Sequence, residues 1–176
     1  LAEMLGGGGY HCMAVGKWHL ARLRDWTSAG PFHQWPLGRG FHRFYGFLAA
    51  LMDHWHPELF QDNHAIATPS RSGYHLTEDL VDQAIAMVRD HQAVAPGRPF
   101  FTYLALGACH SPHHAPREFI DRYAGRFDEG WDRVRELWFE RQLALGVVPP
   151  GTRLTPRNPA VRDWDSLSAD EQRLLL

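Results

Sequence analysis

Lys17 and His19, two positions apart, are the first residues of the chain whose types could do chemistry together. They follow an apolar run, residues 12–15, and a glycine, Gly16. An apolar run that stops at a glycine predicts a strand of an open α/β sheet, which delivers the next side chains to its carboxyl edge. In an extended chain Lys17 and His19 share one side, opposite Trp18. An ammonium beside an imidazole suits an anionic substrate with a proton to move, and the alternative is a solvated lysine beside a loop histidine.

A third candidate, His110, follows a second apolar run at residues 100–106. A continuous apolar run bounded by turn residues predicts a strand buried on both faces of a parallel sheet. An amphipathic helix is predicted between the two runs, over residues 77–92 with its first residue as N-cap. Strand, helix and strand form a βαβ unit with a right-handed crossover. His110 is therefore expected at the same sheet edge as Lys17 and His19.

The histidines His110, His113 and His114 also allow a second interpretation, a metal cluster. Their spacing fits no usual zinc pattern, and Pro112 breaks a helical arrangement of the ligands. We therefore favour His113 and His114 as loop residues near the rim of a pocket.

Other segments predict the scaffold. Residues 21–47 contain glycine, proline and four aromatic residues near their end, and are expected to form a long ordered loop that these aromatics pin onto the core. An aromatic wall for an aryl substrate is the less favoured interpretation. Residues 59–63 predict an edge strand or hairpin arm, and residues 129–145 predict a helix after a short one. Cys12 and Cys109 are expected to be reduced, buried thiols that lie near each other.

Length and composition place the chain among ordinary globular proteins. It has 176 residues, 44% of them hydrophobic and 22% charged, which is enough for one core. A net charge of −2 gives no global attraction to nucleic acid or to acidic membranes. No apolar run approaches the roughly 18 residues of a membrane span. Any anion binding is therefore expected to be local, with neither nucleic acid nor membrane as partner.

Four segments in a fixed order carry a family resemblance: residues 9–11 with 15–20, 35–41 with 44–47, 73–79, and 99–101 with 104–105 and 110–113. They read GYH with VGKWHL, WPLGRGF with FYGF, GYHLTED, and PFF with LA and HSPH. Their order and spacing resemble the middle of a type I sulfatase of the arylsulfatase kind, within the alkaline-phosphatase-like superfamily. The likeness covers nearly the whole chain.

The resemblance implies an α/β fold, part of an alkaline-phosphatase-like three-layer α/β/α sandwich with a mostly parallel central sheet. It implies hydrolysis of a small-molecule sulfate ester through a formylglycine nucleophile and a divalent cation, usually calcium. By the same resemblance, Lys17 binds the sulfate and the formylglycine oxygen. His19 is the base that takes the remaining proton of the formylglycine hydrate, and His110 binds sulfate and protonates the leaving alcohol.

The family's nucleophile motif and metal ligands have no match in these residues. Residues 67–71, Ala-Thr-Pro-Ser-Arg, are similar to the motif of Cys or Ser, any residue, Pro, Ser, Arg. Alanine, however, has no atom to oxidise to an aldehyde, and the family's motif lies upstream of the segment that carries Lys17. No metal ligand is predicted within the chain, which by itself is expected to be inactive.

Residues 1–176 are expected to be the central portion of a single sulfatase catalytic domain, truncated at both ends. Leu1 stands in what reads as the end of a helix, and residues 168–171 form a capping box that starts a helix just before the chain stops. A cytoplasmic location is expected, with a periplasmic or secreted one left open because the true N-terminus is expected upstream. Two other functions remain open: a phosphodiesterase or phosphonate monoester hydrolase of the same superfamily, and an inactive remnant that keeps the fold. The sequence does not indicate an oligomeric state.

Overall fold

The computed structural model describes residues 1–175. The chain divides into two compact units, one from Leu1 to Ala115 and the other from Pro116 onward. The expectation of one catalytic domain over the whole chain stays a prediction. None of the helices within the described residues is both long and apolar enough to cross a membrane.

The first unit contains a sheet and two helices, and the second contains three helices. The elements are α1 Ala2–Gly7, β1 His11–Lys17, β2 Arg43–Phe47, β3 Leu59–Gln61, β4 His64–Ile66, α2 Leu76–Val94, β5 Phe100–Ala105, α3 Arg117–Asp121, α4 Gly130–Ala144 and α5 Ala169–Leu175. The five strands lie in the order β4-β3-β2-β1-β5. β1 is parallel to both β2 and β5, whereas β3 is antiparallel to β2 and to β4. The predicted α/β class with a mostly parallel central sheet is confirmed.

Side chains cover both faces of the sheet. On one face Met13 and Val15 of β1 pack with Leu80 and Met87 of α2. On the opposite face Ala14 packs in a cluster with two buried tryptophans from the loops, and α1 lies beside β1. Because successive side chains of a strand point to opposite faces, β1 connects the two hydrophobic clusters. β1 is thus buried on both faces and paired with a strand on each side.

The segment expected to be one long loop contains strand β2. Phe44 packs on the tryptophan face of the sheet, while Tyr45 and Phe47 pack on the α2 face. The predicted role of these aromatics in holding the segment to the core is therefore confirmed, but the loop assignment of Arg43–Phe47 is wrong. Both faces of this short strand are buried, so it lacks the alternation that marks a half-exposed strand.

Strand β5 forms where it was predicted, but it is not buried on both faces. Phe100, Tyr103 and Leu104 are each 37–43% exposed. β5 is the last strand in the sheet and pairs with β1 alone among the described residues. The edge position explains why its apolar run remains partly accessible.

Helix α2 begins two residues earlier than predicted and ends two residues later. Its N-cap is His75 rather than Thr77, because the His75 Nδ1 accepts a hydrogen bond from the Thr77 N–H at 3.3 Å. An imidazole that caps a helix replaces the usual hydroxyl or carboxylate acceptor. Leu80 and Met87 of this helix are buried, whereas Ile85 is 43% exposed.

Three smaller predictions can be compared with the structure. The hairpin arm is confirmed, since residues 59–66 form the β3–β4 hairpin. The capping box is confirmed, because the Ser168 N–H donates to Glu171 Oε2 at 2.8 Å and the Glu171 N–H donates to Ser168 Oγ at 3.3 Å. The cysteine prediction is partly wrong. Cys12 is buried near the start of β1, whereas Cys109 is exposed beyond the end of β5.

Asp79, in the first turn of α2, joins this helix to β2. Its buried carboxylate accepts hydrogen bonds from the Tyr45 hydroxyl at 2.6 Å and from the Tyr74 hydroxyl at 3.0 Å. Burial raises the pKa of both tyrosines, and the neighbouring Asp79 charge raises it further. Both hydroxyls therefore act as donors to this carboxylate.

Replacing Asp79 with alanine is expected to lower the free energy of unfolding by about 3 kcal/mol, because two buried hydroxyls lose their acceptor. Asp82→Ala is the matched control on the same helix. Asp82 is exposed, and its contact with Arg71 at 3.9 Å is a surface ion pair worth little. Urea unfolding measures both variants, and equal losses would refute the structural role of Asp79.

Three histidines, His11, His42 and His91, meet near the amino end of β1 and the last turn of α2. His11 Nδ1 lies 3.0 Å from His91 Nδ1. The His91 Nε2 lies 2.8 Å from the Arg98 carbonyl oxygen, so this nitrogen carries the proton and His91 Nδ1 accepts from His11. Burial lowers the pKa of His11, and the neighbouring His42 and His91 lower it further.

The free energy of unfolding is therefore expected to fall as the pH drops below the ordinary histidine pKa of about 6.5. The unfolded chain takes up a proton at His11 before the folded chain does, which favours unfolding. His11→Gln should flatten this pH dependence, whereas His64→Gln at an exposed site should not. Urea unfolding at about pH 7.5 and about pH 5.5 measures the difference. A profile that is as steep in His11→Gln as in the wild type would contradict the assignment.

Candidate active site

The carboxyl ends of three parallel strands align at one edge of the sheet. Gly16 of β1 is paired with Gly46 of β2 and with Ala105 of β5. A Cβ on Gly16 would lie 1.9 Å from the Ala105 carbonyl oxygen, and one on Gly46 would lie 2.0 Å from the Gly16 carbonyl oxygen. Glycine at both positions therefore lets the three backbones approach closely where the candidate residues begin.

Lys17 is the last residue of β1 and is half-buried at this edge. It is the only lysine in the sequence, beside 17 arginines. Among the described residues it has no carboxylate partner within 4.0 Å. A compact ammonium without an ion-pair partner is suited to bind an anion.

His19 lies at the same edge. It does not, however, continue the extended chain in which Lys17 and His19 were expected to share one side. Its φ is +50°, in the left-handed region, so the chain is no longer extended at this residue. The Trp18 N–H donates to the Phe47 carbonyl at 2.9 Å and the His19 N–H donates to the Leu48 carbonyl at 3.1 Å. The β1–β2 pairing thus continues past the strand and fixes the His19 backbone, while its side chain stays exposed. A histidine held in this backbone conformation is uncommon and is often found at functional sites.

His110 stands in the exposed loop that follows β5. Its backbone N–H donates to the Gly107 carbonyl at 3.0 Å, and its Nδ1 lies 2.9 Å from the Ser111 carbonyl oxygen. Since a carbonyl can only accept, Nδ1 carries a proton in this arrangement. Nε2 is then the nitrogen left for a ligand, and it can exchange a proton with one. The β1–β5 register places the end of β5 beside Gly16, so this loop leaves the sheet at the edge where Lys17 lies.

A cluster of three histidines, which the sequence did not predict, lies next to this loop. It consists of His54, His75 and His114, with ring centroids of His54 5.3 Å from His75 and 6.1 Å from His114. The Asp53 carboxylate lies 3.5 Å from His114 Nδ1. The three histidines are separated by up to 60 residues in sequence, so no local motif marks them. The only signal was the abundance of histidine in segments next to the predicted sheet edge.

Burial decides the charge of this cluster. It lowers the pKa of His54, which is 2% exposed, and the neighbouring His75 lowers it further. His54 Nδ1 has no hydrogen-bond partner among the described residues. The Trp55 N–H, which donates to Asp53 at 2.7 Å, holds the pKa of that carboxyl below its usual range. His54 is therefore favoured in its neutral form, with the ionised Asp53 carboxylate at the rim of the cluster.

The described residues do not provide a metal site. Across residues 1–175, no three histidine, cysteine or acidic side chains are grouped so that they could hold a metal ion. His113, part of the alternative metal interpretation, is exposed, and His114 belongs to the histidine cluster. The residues present therefore do not fit the calcium ion that the resemblance implies, and no chemical step below passes through a cation.

Comparison with known proteins identifies the family of this chain. The model of the family described as Sulfatase matches residues 1–172. The chain belongs to the sulfatase family. It is 26% identical to an uncharacterised sulfatase of Schizosaccharomyces pombe and 25% identical to an arylsulfatase of Klebsiella aerogenes, each over 98% of this chain. These matches span 32% and 37% of the two relatives, so the chain corresponds to about a third of their length.

Further relatives and a solved structure agree with this assignment. An uncharacterised sulfatase of Escherichia coli is 33% identical over 74% of this chain and 25% of its own length. The crystal structure of Ps i-CgsB in complex with k-i-k-neocarrahexaose superposes with a TM-score of 0.57 at 24% identity. It covers 69% of this sulfatase chain and 29% of the other chain. The likeness confirms the alkaline-phosphatase-like α/β fold.

Proposed function

We propose that this chain is the central part of the catalytic domain of an arylsulfatase-type sulfuric ester hydrolase. The proposal is supported by the match of residues 1–172 to the sulfatase family. It is also supported by the parallel pairing of β1, which ends at Lys17, with β5, which leads into the loop that carries His110. A formylglycine nucleophile and a divalent cation would come from other parts of a longer polypeptide. The cytoplasmic location stays a prediction.

Lys17 is proposed to bind the sulfuryl oxygens. Its ammonium is half-buried at the end of a central strand, and it lacks a carboxylate partner among residues 1–175. A fixed positive charge offsets negative charge that develops on these oxygens in the transition state. The same ammonium is proposed to contact the oxygen of the nucleophile.

The two histidines are proposed to move protons on opposite sides of the reacting group. His19, with its backbone fixed by Leu48, is the base that removes the remaining proton of the nucleophile after sulfate transfer. His110 presents Nε2, because its Nδ1 donates to the Ser111 carbonyl. In its doubly protonated, cationic form it donates a hydrogen bond from Nε2 to the sulfate. It gives that proton to the oxygen of the leaving alcohol as the ester bond breaks, and returns to the neutral form with the proton on Nδ1.

The proposed substrate is a small sulfate ester. The relatives include an arylsulfatase and two N-acetylgalactosamine-6-sulfatases, and the crystal structure of Ps i-CgsB contains a carrageenan-type oligosaccharide. Aryl and carbohydrate sulfates are therefore the two classes to assay first.

The proposal is tested by comparing the 176-residue chain with the polypeptide encoded by the complete reading frame around it. The longer polypeptide should release sulfate from an aryl sulfate and should contain, upstream of Leu1, a Cys or Ser, any residue, Pro, Ser, Arg motif. Peptide mass spectrometry should detect formylglycine at the first position of that motif.

The 176-residue chain alone should release no sulfate, because its sequence contains no Cys or Ser, any residue, Pro, Ser, Arg motif and residues 1–175 group no metal ligands. Turnover by the purified chain would overturn the dependence on other segments. A different nucleophile such as threonine in the motif would instead favour phosphoester or phosphonate hydrolysis.

A further inference from the structure

His75 connects the first turn of α2 to the loop that carries His110. Its Nδ1 accepts from the Thr77 N–H at 3.3 Å, and its Nε2 lies 3.2 Å from the His114 carbonyl oxygen. A carbonyl only accepts, so Nε2 carries the proton and Nδ1 is free to accept. A single neutral tautomer therefore satisfies both contacts at once.

The ring of His75 has little freedom to leave this arrangement. The residue is 6% exposed, and its ring packs against Trp55 at 4.8 Å and His54 at 5.3 Å between centroids. Both contacts are edge-to-face, which fixes the plane of the imidazole as well as its position. The hydrogen bond to His114 thus starts from a rigid donor.

The loop at residues 107–114 is held at its two ends and exposed in its middle. At its start, Gly107 packs so closely on His54 that a Cβ there would lie 3.0 Å from His54 Nε2. At its end, His114 accepts from His75 through its carbonyl and from the His54 N–H through Nδ1, at 3.4 Å. His110, halfway along, makes hydrogen bonds only within the loop among the described residues.

We propose that His75 is a positioning residue for His110, holding the His114 carbonyl and with it the loop that presents the His110 imidazole to the substrate. The inference rests on the proposed function, since it takes His110 as the acid that protonates the leaving group. His75 itself contacts no reacting atom. Its effect on the reaction passes through the loop, where a displacement of about 1 Å can cost up to about 100-fold in rate.

Two substitutions separate the two contacts of His75. In His75→Asn the side-chain oxygen takes the place of Nδ1, so the helix cap remains while the reach to His114 is lost. In His75→Gln the amide nitrogen takes the place of Nε2, so the bond to His114 remains while the cap is lost. His64→Asn, at an exposed position on β4, is the matched control.

In the full-length protein, the two substitutions are expected to have different effects on kcat and on the melting temperature. His75→Asn should lower kcat at least about 10-fold with little change in melting temperature. His75→Gln should keep kcat within about 3-fold of wild type and lower the melting temperature, as loss of an N-cap does. The reverse pattern, with Gln inactive and Asn active, would overturn the proposal.

The ratio of the rates for two sulfate esters with different leaving groups provides a further measurement. A smaller amount of folded protein lowers both rates equally and leaves this ratio unchanged. A poorly placed acid matters most when the departing alcohol is a weak acid. His75→Asn should therefore reduce the rate for an alkyl sulfate more than for 4-nitrophenyl sulfate. Equal reductions for both substrates would mean that the substitution only lowers the amount of active protein, and would overturn the positioning role.

Hydrogen exchange of the peptide covering residues 107–115, measured on the same samples, does not depend on activity. Exchange should be faster in His75→Asn and unchanged in His75→Gln. That result together with no hydrolysis of sulfate esters by the wild type would support the connection to the loop and overturn only the proposed function. Unchanged exchange in His75→Asn, or faster exchange with an undiminished kcat, would overturn the positioning role.

Discussion

Replacing Gly16 with alanine is expected to lower the free energy of unfolding by about 4 kcal/mol or more, a large fraction of the roughly 5–15 kcal/mol of an ordinary domain. The new Cβ would lie 1.9 Å from the Ala105 carbonyl oxygen, which is backbone and not a flexible side chain. The φ of Gly16, +106°, is also a conformation that costs a non-glycine residue about 1–3 kcal/mol. β1 is paired on both sides, so it cannot move away from β5 without losing its register with β2.

The matched control for this substitution is Gly97→Ala. Gly97 precedes β5, has no positive φ, and has open space where a Cβ would stand. Its replacement should change the free energy of unfolding by less than about 0.5 kcal/mol. Urea unfolding followed by tryptophan fluorescence compares the two. If Gly16→Ala were as stable as Gly97→Ala, the close approach of β1 and β5 at the candidate site would be wrong.

Lys17→Ala is expected to lower kcat/KM for a sulfate ester by about 10²- to 10³-fold in the full-length protein, because one fixed charge that faces the sulfuryl oxygens is removed. Lys17→Arg should recover part of the loss, since the charge remains but the planar guanidinium is bulkier than an ammonium. Arg89→Ala, an exposed cation on α2, should leave kcat/KM unchanged. A Lys17→Ala enzyme with wild-type kcat/KM would exclude this lysine from the site.

The double variant Lys17→Ala with His110→Ala tests whether both residues act on one group. His110→Ala alone should cost about 10²- to 10⁴-fold, as the loss of an acid catalyst does. Residues that act as a unit have effects that are far from additive. The double variant should therefore lose much less than the product of the two single losses. Losses that multiply fully would place Lys17 and His110 in separate roles.

The strands and the helix that position the site could be predicted from the local pattern of apolar residues. β1, α2 and β5 each have the length and periodicity of their type, and a helix between two strands predicts that β1 and β5 are parallel. The structure adds β2, β3 and β4 between β1 and α2. β2 could not be found in this way. Its five residues are buried on both faces, and its pairing with β1 joins segments about 30 residues apart.

The site was predictable only in part, because some of it also depends on contacts between segments that are distant in the sequence. Lys17 and His110 both follow strands whose carboxyl ends meet, so their convergence follows from topology. The left-handed backbone of His19 depends on hydrogen bonds that extend the β1–β2 ladder, which residue types do not reveal. The histidine cluster needs three distant segments to pack together, and that information lies in the tertiary structure.

The most direct test of the account compares two esters with the same leaving group in the full-length protein. We expect a higher kcat/KM for 4-nitrophenyl sulfate than for bis(4-nitrophenyl) phosphate, with the sulfate activity lost in Lys17→Ala and His110→Ala. A protein that prefers the phosphate diester, or whose sulfate activity survives both substitutions, would contradict the assignment of this sheet edge to sulfate ester hydrolysis.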